Sequence, residues 1–102
     1  MIDDILESIE AIEDHVGNLD VSEFLDSIKT QDAVVRRLEI IGEAVARLPE
    51  EFTEEHSDIP WGDLIGMRNV MIHKYDDVNF ELVWEAITKD LPKLKEQLEE
   101  LR

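Results

Sequence analysis

Apolar residues recur at steps of three and four along nearly the whole chain, which is the spacing of one buried face on an α-helix. Ile2, Ile5, Leu6, Ile9, Ile12 and Val16 form a first stripe, ended by Gly17-Asn18, two residues that tolerate left-handed backbone. Ser22 is placed to cap a short helix running to Ser27. Val34, Leu38, Ile41, Val45 and Leu48 define a long second helix from about Thr30 to Leu48, stopped by Pro49. Glu50 to Pro60 is polar, with one helical turn expected near Phe52. Pro60 suits the start of a third helix that turns Trp61, Leu64, Ile65 and Ile72 inward. Asp76-Asp77 break that pattern, and Asn79 can cap a fourth helix with a seam of Val83, Ile87, Leu91, Leu94, Leu98 and Leu101. Pro92 falls inside this seam and should bend the helix, because it lacks a backbone donor and crowds the carbonyl of Thr88. No alternating strand pattern competes. The expectation is an all-α, antiparallel four-helix bundle with a short extra helix, one domain over residues 1–102.

Composition narrows the possibilities. A chain of 102 residues can bury roughly two-thirds of its unfolded surface, and 43% hydrophobic content is normal for a globular protein. No apolar run approaches the roughly 20 residues that span a bilayer, and Asp3, Asp4 and Glu7 interrupt any export signal, so no membrane association and a cytoplasmic location are expected. With no cysteine, disulfides, thiolate zinc sites and cysteine nucleophiles are excluded. His15 and His56 have no partner at metal-ligand spacing, no calcium-loop pattern occurs, and neither metal nor cofactor is expected. A glycine-rich phosphate loop and a serine-nucleophile elbow are also missing.

Against this background the segment Arg68-Asn69-Val70-Met71-Ile72-His73-Lys74-Tyr75 stands out. Arginine grips phosphoryl oxygens through a planar fork of donors, and histidine moves protons near neutral pH. The phenol of Tyr75 offers a hydroxyl that can bind RNA or be modified. On a helix, Asn69 and His73 stack one turn apart, whereas Arg68 and His73 diverge by about 140°. One helix therefore does not close a tight arginine–histidine site by backbone geometry alone; the long arginine stem can bridge some of the gap, and a second copy across a two-fold axis would bridge more. Plainer roles exist for each residue: Arg68 pairing with a carboxylate, His73 lying at a helix C-terminus where a cation is favourable, and Tyr75 packing its ring. Charge also weighs against a nucleic-acid ligand. Asp and Glu total 26 against 10 Lys and Arg, a formal net charge of −16. RNA would be repelled at long range unless Arg36, Arg37, Arg47, Arg68, His73 and Lys74 make a local patch that prevails within a Debye length of about 8 Å.

The spacing of Arg68, His73 and Tyr75 resembles the signature of the HEPN superfamily, and more narrowly its HepT branch of ribonuclease toxins. Leu38-Glu39-Ile40-Ile41-Gly42-Glu43-Ala44, Ile59-Pro60-Trp61, Gly66-Met67-Arg68-Asn69 and Val83-Trp84 are similar to that branch in the same order. The resemblance implies a homodimer with two copies of the motif in one cleft, and metal-independent RNA cleavage by attack of the ribose 2′-hydroxyl. Arg68 and His73 would be catalytic, with Asn69 orienting phosphate or imidazole. DNA, which lacks the internal nucleophile, would be inert. Glu43 matches an acid of the family that would hold Arg68 or His73, although a solvated face or an internal salt bridge suits it equally. In that branch the tyrosine matching Tyr75 receives adenylyl groups from a minimal nucleotidyltransferase antitoxin of the MntA type. The implied system is a type II/VII-like toxin–antitoxin pair. A different class of function fits as well: a non-catalytic helical subunit that docks the nucleotidyltransferase, for which the acidic charge is suited. Trp61 and Trp84 read as core or interface anchors rather than base-stacking platforms, and Gly42, unfavourable by about 1 kcal/mol in a helix, suggests close helix approach.

Overall fold

The computed structural model describes residues 1–73 and 78–102, apart from the side chains of Val70, Ile72 and His73. Among the described residues the chain is helical throughout, with no strand. The helices are α1 (Ile2–Val16), α2 (Val21–Asp26), α3 (Ile28–Ala46), α4 (Glu50–Glu55), α5 (Trp61–His73), α6 (Phe80–Glu85) and α7 (Leu91–Glu100), with a π-helical stretch (Ala86–Asp90) joining the last two. Helix α3 packs along α5 and along α1, α1 also meets α7, and α2 touches α3 and α6.

The apolar stripes account for the core. Ile5, Leu6, Ile9 and Ile12 of α1, Val34, Val35, Leu38, Ile41 and Val45 of α3, and Leu91, Leu94 and Leu98 of α7 are all buried in one cluster with Trp61, Leu64 and Met71 of α5. Phe24 of the short α2 is wholly buried, its ring 5.2 Å from Trp84 and 6.3 Å edge-on from Phe80. The edge-on contact with Phe80 is a preferred geometry for aromatic pairs. Trp61 is buried too and donates its indole N–H to the His56 carbonyl at 3.0 Å, and His56 lies 4.7 Å from the Phe52 ring. Trp61 is thus a core anchor, and Trp84 packs partly buried against the core.

Where helices begin and end follows from local hydrogen bonding. Gly17 closes α1 with φ 52°, a conformation that costs a side-chain-bearing residue more than glycine. The expected cap at Ser22 is wrong by two residues. Asp20 accepts from Glu23 N at 2.9 Å while Glu23 accepts from Asp20 N at 3.0 Å, a reciprocal pair that puts Ser22 inside the helix. Helix α3 starts before Thr30 because the Ser27 hydroxyl accepts from Thr30 N at 3.2 Å. It ends at Ala46, short of Leu48, since a residue preceding proline is driven out of the helical region. Buried Gln31 donates to the carbonyls of Phe24 and Leu25 at 3.1 and 3.0 Å, satisfying the last turn of α2.

The proline at position 92 takes effect as a widened turn. All residues flanking the π stretch keep right-handed helical backbone, and Leu91 N bonds to Ala86 O, five residues back. A π turn is a known way for a helix to absorb a missing donor. At the other end of this rod Asn79 caps α6 as expected, its side-chain oxygen accepting from Glu81 N at 3.0 Å and Leu82 N at 3.3 Å. Asn79→Ala is expected to cost about 1 kcal/mol, and Asn79→Asp much less, read as shifts of the thermal unfolding midpoint by circular dichroism. The termini are tied by Arg102 to Asp3 at 3.4 Å, and α7 to α1 by Lys95 to Glu13 at 2.9 Å. The Glu13 hydrogen bond raises the Lys95 ammonium above its ordinary pKa.

Candidate active site

The base of Arg68 lies where α3 and α5 come closest. A Cβ built on Gly42 would fall on the Arg68 Cβ, 2.8 Å from its Cγ and 3.2 Å from the Leu64 carbonyl oxygen. Only glycine at position 42 lets the two helices approach this far. The close approach expected from a glycine inside a strong helix is therefore real, and its partner is the arginine of the motif.

The tip of the same side chain is held by its neighbour. Arg68 donates from Nη2 to Asn69 Oδ1 at 2.8 Å and from Nε to the same oxygen at 3.2 Å. Arg68 is half-buried and Asn69 exposed. No ion pair joins Arg68 to a carboxylate among the described residues. The plain role of Arg68 as a carboxylate partner is thereby missing from the described surface of a chain with 26 acids.

His73 closes α5, so its backbone belongs to the helix that carries Arg68 and Asn69. Its side chain lies outside the described residues, as do Lys74, Tyr75 and the Asp76-Asp77 break. Within one α5, the backbone directions of positions 68 and 73 diverge by about 140°, as helix geometry requires.

Glu43 follows Gly42 by one residue and points about 100° away from it. It lines a groove of about 250 Å³ between α1 and α3 together with Asp4, Glu7, Ser8, Arg37 and Arg47. Arg36 pairs with Glu39 at 3.4 Å on α3. The arginines expected to form one basic patch are thus divided: Arg37 and Arg47 share the α1–α3 groove, while Arg68 sits at the α3–α5 contact. Among the described residues no three histidine or carboxylate side chains converge as metal ligands, and no helix is long and apolar enough to cross a membrane.

Two features of this arrangement escape a reading of the sequence. Helix periodicity does not say which residue faces Gly42, since that depends on how α3 and α5 are set against each other. The two-point hold of Asn69 on Arg68 joins adjacent residues, which helix geometry alone would point apart; the Arg-Asn dipeptide is the only sequence signal for it.

Comparison with known proteins identifies the family of the chain. The HepT-like family, described as "Ribonuclease HepT-like", matches residues 5–101. A protein of Thermococcus cleftensis named "Probable ribonuclease HepT" is 42% identical over 101 residues, covering 99% of this chain and 92% of that one. A protein of Caldanaerobacter subterraneus subsp. tengcongensis named "Putative RNase" is 41% identical over 100 residues, covering 98% of this chain and 89% of that one. A longer protein of Methanocaldococcus jannaschii, named "Gamma-glutamylcyclotransferase and putative RNase", is 49% identical over 94 residues; the match covers 92% of this chain but 42% of that protein. No solved structure matches the chain. On the strength of a family match over nearly its whole length, the chain belongs to the HepT-like ribonuclease family.

Proposed function

We propose that this protein is a metal-independent endoribonuclease that works as a two-fold dimer of antiparallel four-helix bundles, and that it is the toxin of a toxin–antitoxin pair. The observation that carries the reading is the state of Arg68. Its stem is wedged at the α3–α5 contact, and its guanidinium is engaged by a neutral amide, with no carboxylate paired to it among the described residues. A phosphate-binding arginine needs its charge uncancelled, because the group it stabilises gains negative charge at the pentacoordinate phosphorus.

The chemistry assigned to the site is transesterification within RNA. The ribose 2′-oxygen bonds to the adjacent phosphorus as its proton leaves to a base, and the bond from phosphorus to the 5′-oxygen breaks as that oxygen takes up a proton. The products are a 2′,3′-cyclic phosphate and a 5′-hydroxyl. His73 serves as the proton carrier and Arg68 as the charge stabiliser, with the histidine of one protomer acting beside the arginine of the other. The angular divergence of positions 68 and 73 on α5 supports that composite site, and two-fold dimers are the commonest assemblies.

The test is incubation of the purified protein with an RNA oligonucleotide and its DNA counterpart in the presence of a chelator. RNA is expected to be cut, leaving cyclic phosphate ends, and DNA to stay intact. A dimer that leaves RNA uncut would favour the non-catalytic docking subunit instead.

Control is assigned to Tyr75, through adenylylation by a minimal nucleotidyltransferase antitoxin. The phenol oxygen attacks the α-phosphorus of ATP, losing its proton, and pyrophosphate leaves. The resulting phosphodiester carries one negative charge that can occupy Arg68 through charge-assisted hydrogen bonds. Tyr75→Phe is expected to remain toxic when the nucleotidyltransferase and ATP are supplied, and intact mass should show an adenylyl increase on the wild type alone. An increase that persists on Tyr75→Phe would move the modification to another residue.

A further inference from the structure

The contact between Arg68 and Asn69 has a direction. Both guanidinium nitrogens that face Asn69 are donors only, so the atom opposite them must be the amide oxygen and not its nitrogen. That oxygen is turned toward the arginine, where the family resemblance gave Asn69 the task of orienting phosphate or imidazole. A guanidinium carries five N–H donors. Asn69 uses one on Nε and one on Nη2. The two hydrogens of Nη1 and the second of Nη2 remain; the last of these and one from Nη1 form an end-on fork that matches two phosphate oxygens.

We propose that Asn69 is a positioning residue that acts through Arg68: its oxygen holds the guanidinium by the Nε–Nη2 edge and leaves the Nη1–Nη2 edge for a phosphate ester. The inference rests on the reading of Arg68 as the phosphate-binding group. Arg68 is then fixed at both ends, its stem by Gly42 and its head by Asn69. Arginine has a long, rotamer-rich side chain, and ordering it before the substrate arrives lowers the cost of binding.

The chemical identity of the holder matters as much as its place. The chain carries 26 acidic residues, and a carboxylate within reach would draw a loose guanidinium into an ion pair. An amide oxygen accepts the same two hydrogen bonds without cancelling the charge. Asparagine is thus the residue type that positions the cation and leaves it able to stabilise a developing negative charge. Aspartate, nearly the same shape, would hold Arg68 equally well and oppose the phosphate.

Two measurements test this. The first needs no RNA: hydrogen exchange of the Arg68 Nε–H, followed by NMR on the labelled dimer. Exchange is expected to be slowed in the wild type and to become fast in Asn69→Ala. An Arg68 Nε–H that exchanges alike in both proteins would overturn the proposal. The second is equilibrium binding of an uncleavable RNA oligonucleotide, protected by 2′-O-methyl groups, to single and double variants. Asn69→Ala is expected to weaken binding about tenfold, and Asn69→Asp to weaken it further. In an Arg68→Lys background, where the fork is gone, Asn69→Ala should weaken it no more. A tenfold loss that persists in that background would mean that Asn69 touches RNA itself, and the positioning role would fall. If the wild type binds no RNA while its Arg68 Nε–H still depends on Asn69, the ribonuclease reading fails and the hold of Asn69 on Arg68 stands.

Discussion

Arg68→Ala is expected to lower the single-turnover rate of RNA cleavage by about 100- to 1000-fold, the usual effect of removing one donor aimed at charge that develops in a transition state. The protein should stay folded. Alanine keeps the Cβ that meets Gly42, so the α3–α5 contact survives, and what is lost is an exposed head with no ion pair among the described residues. Arg68→Lys separates the two properties of the residue. It preserves a positive charge on a stem of similar length but discards the planar fork, and it should recover only part of the rate. Circular dichroism and sedimentation control for fold and assembly. Undiminished cleavage by Arg68→Ala would end the assignment of the site, whatever the family of the chain.

How far such a site is visible in a sequence depends on whether its parts are local. The helices are legible because burial repeats every three to four residues: the stripes through Ile5 and Ile9, Val34 and Ile41, and Leu94 and Leu98 are all found buried. The cap at Asn79 is legible for the same reason, since a cap and its helix are adjacent in the chain. Ser22 misleads because three capping-type residues stand close together, and the choice among Asn18, Asp20 and Ser22 rests on which one has a glutamate three residues on to return the hydrogen bond. The disturbance expected at Pro92 shows as a π turn just before it, the kind of place where helices kink.

The site itself divides along the same line. Arg68, Asn69 and His73 are called from one short segment and lie in one helix, α5. Where the arginines go is not legible, because Arg36 and Arg37 are adjacent in sequence yet leave α3 in different directions. Arg36 turns to Glu39, and Arg37 and Arg47 turn to the groove with α1. Glu43 shows how sharply direction decides. One residue from Gly42, it shares the family block with the glycine but lines the groove with Arg37 and Arg47.

The glycine at that contact makes the prediction in which stability and function are joined. In an ordinary exposed helix, glycine to alanine stabilises by up to about 1 kcal/mol, because alanine loses less backbone freedom on folding. Gly66 of α5 is such a position, with no atom near the place a Cβ would occupy, and Gly66→Ala should raise the unfolding midpoint. Gly42→Ala should do the opposite. Its new Cβ would collide with the Arg68 Cβ and Cγ and press on the Leu64 carbonyl, none of which is the free end of a flexible side chain. Relief requires α3 and α5 to move apart, and overpacking of this kind costs about 1–3 kcal/mol. Setting the gain against the loss leaves a net destabilisation of up to about 2 kcal/mol, read as a midpoint lowered by several degrees in a domain of this size. Cleavage should fall as well, since the collision displaces the base of Arg68, and a shift of even 1 Å at a positioned group can cost about 100-fold in rate. That fall should persist at temperatures where Gly42→Ala is fully folded, which separates misplacement of the arginine from simple unfolding. A Gly42→Ala protein as stable as Gly66→Ala would show that α3 and α5 do not meet at Arg68, and the geometry that holds the arginine in place would have to be abandoned.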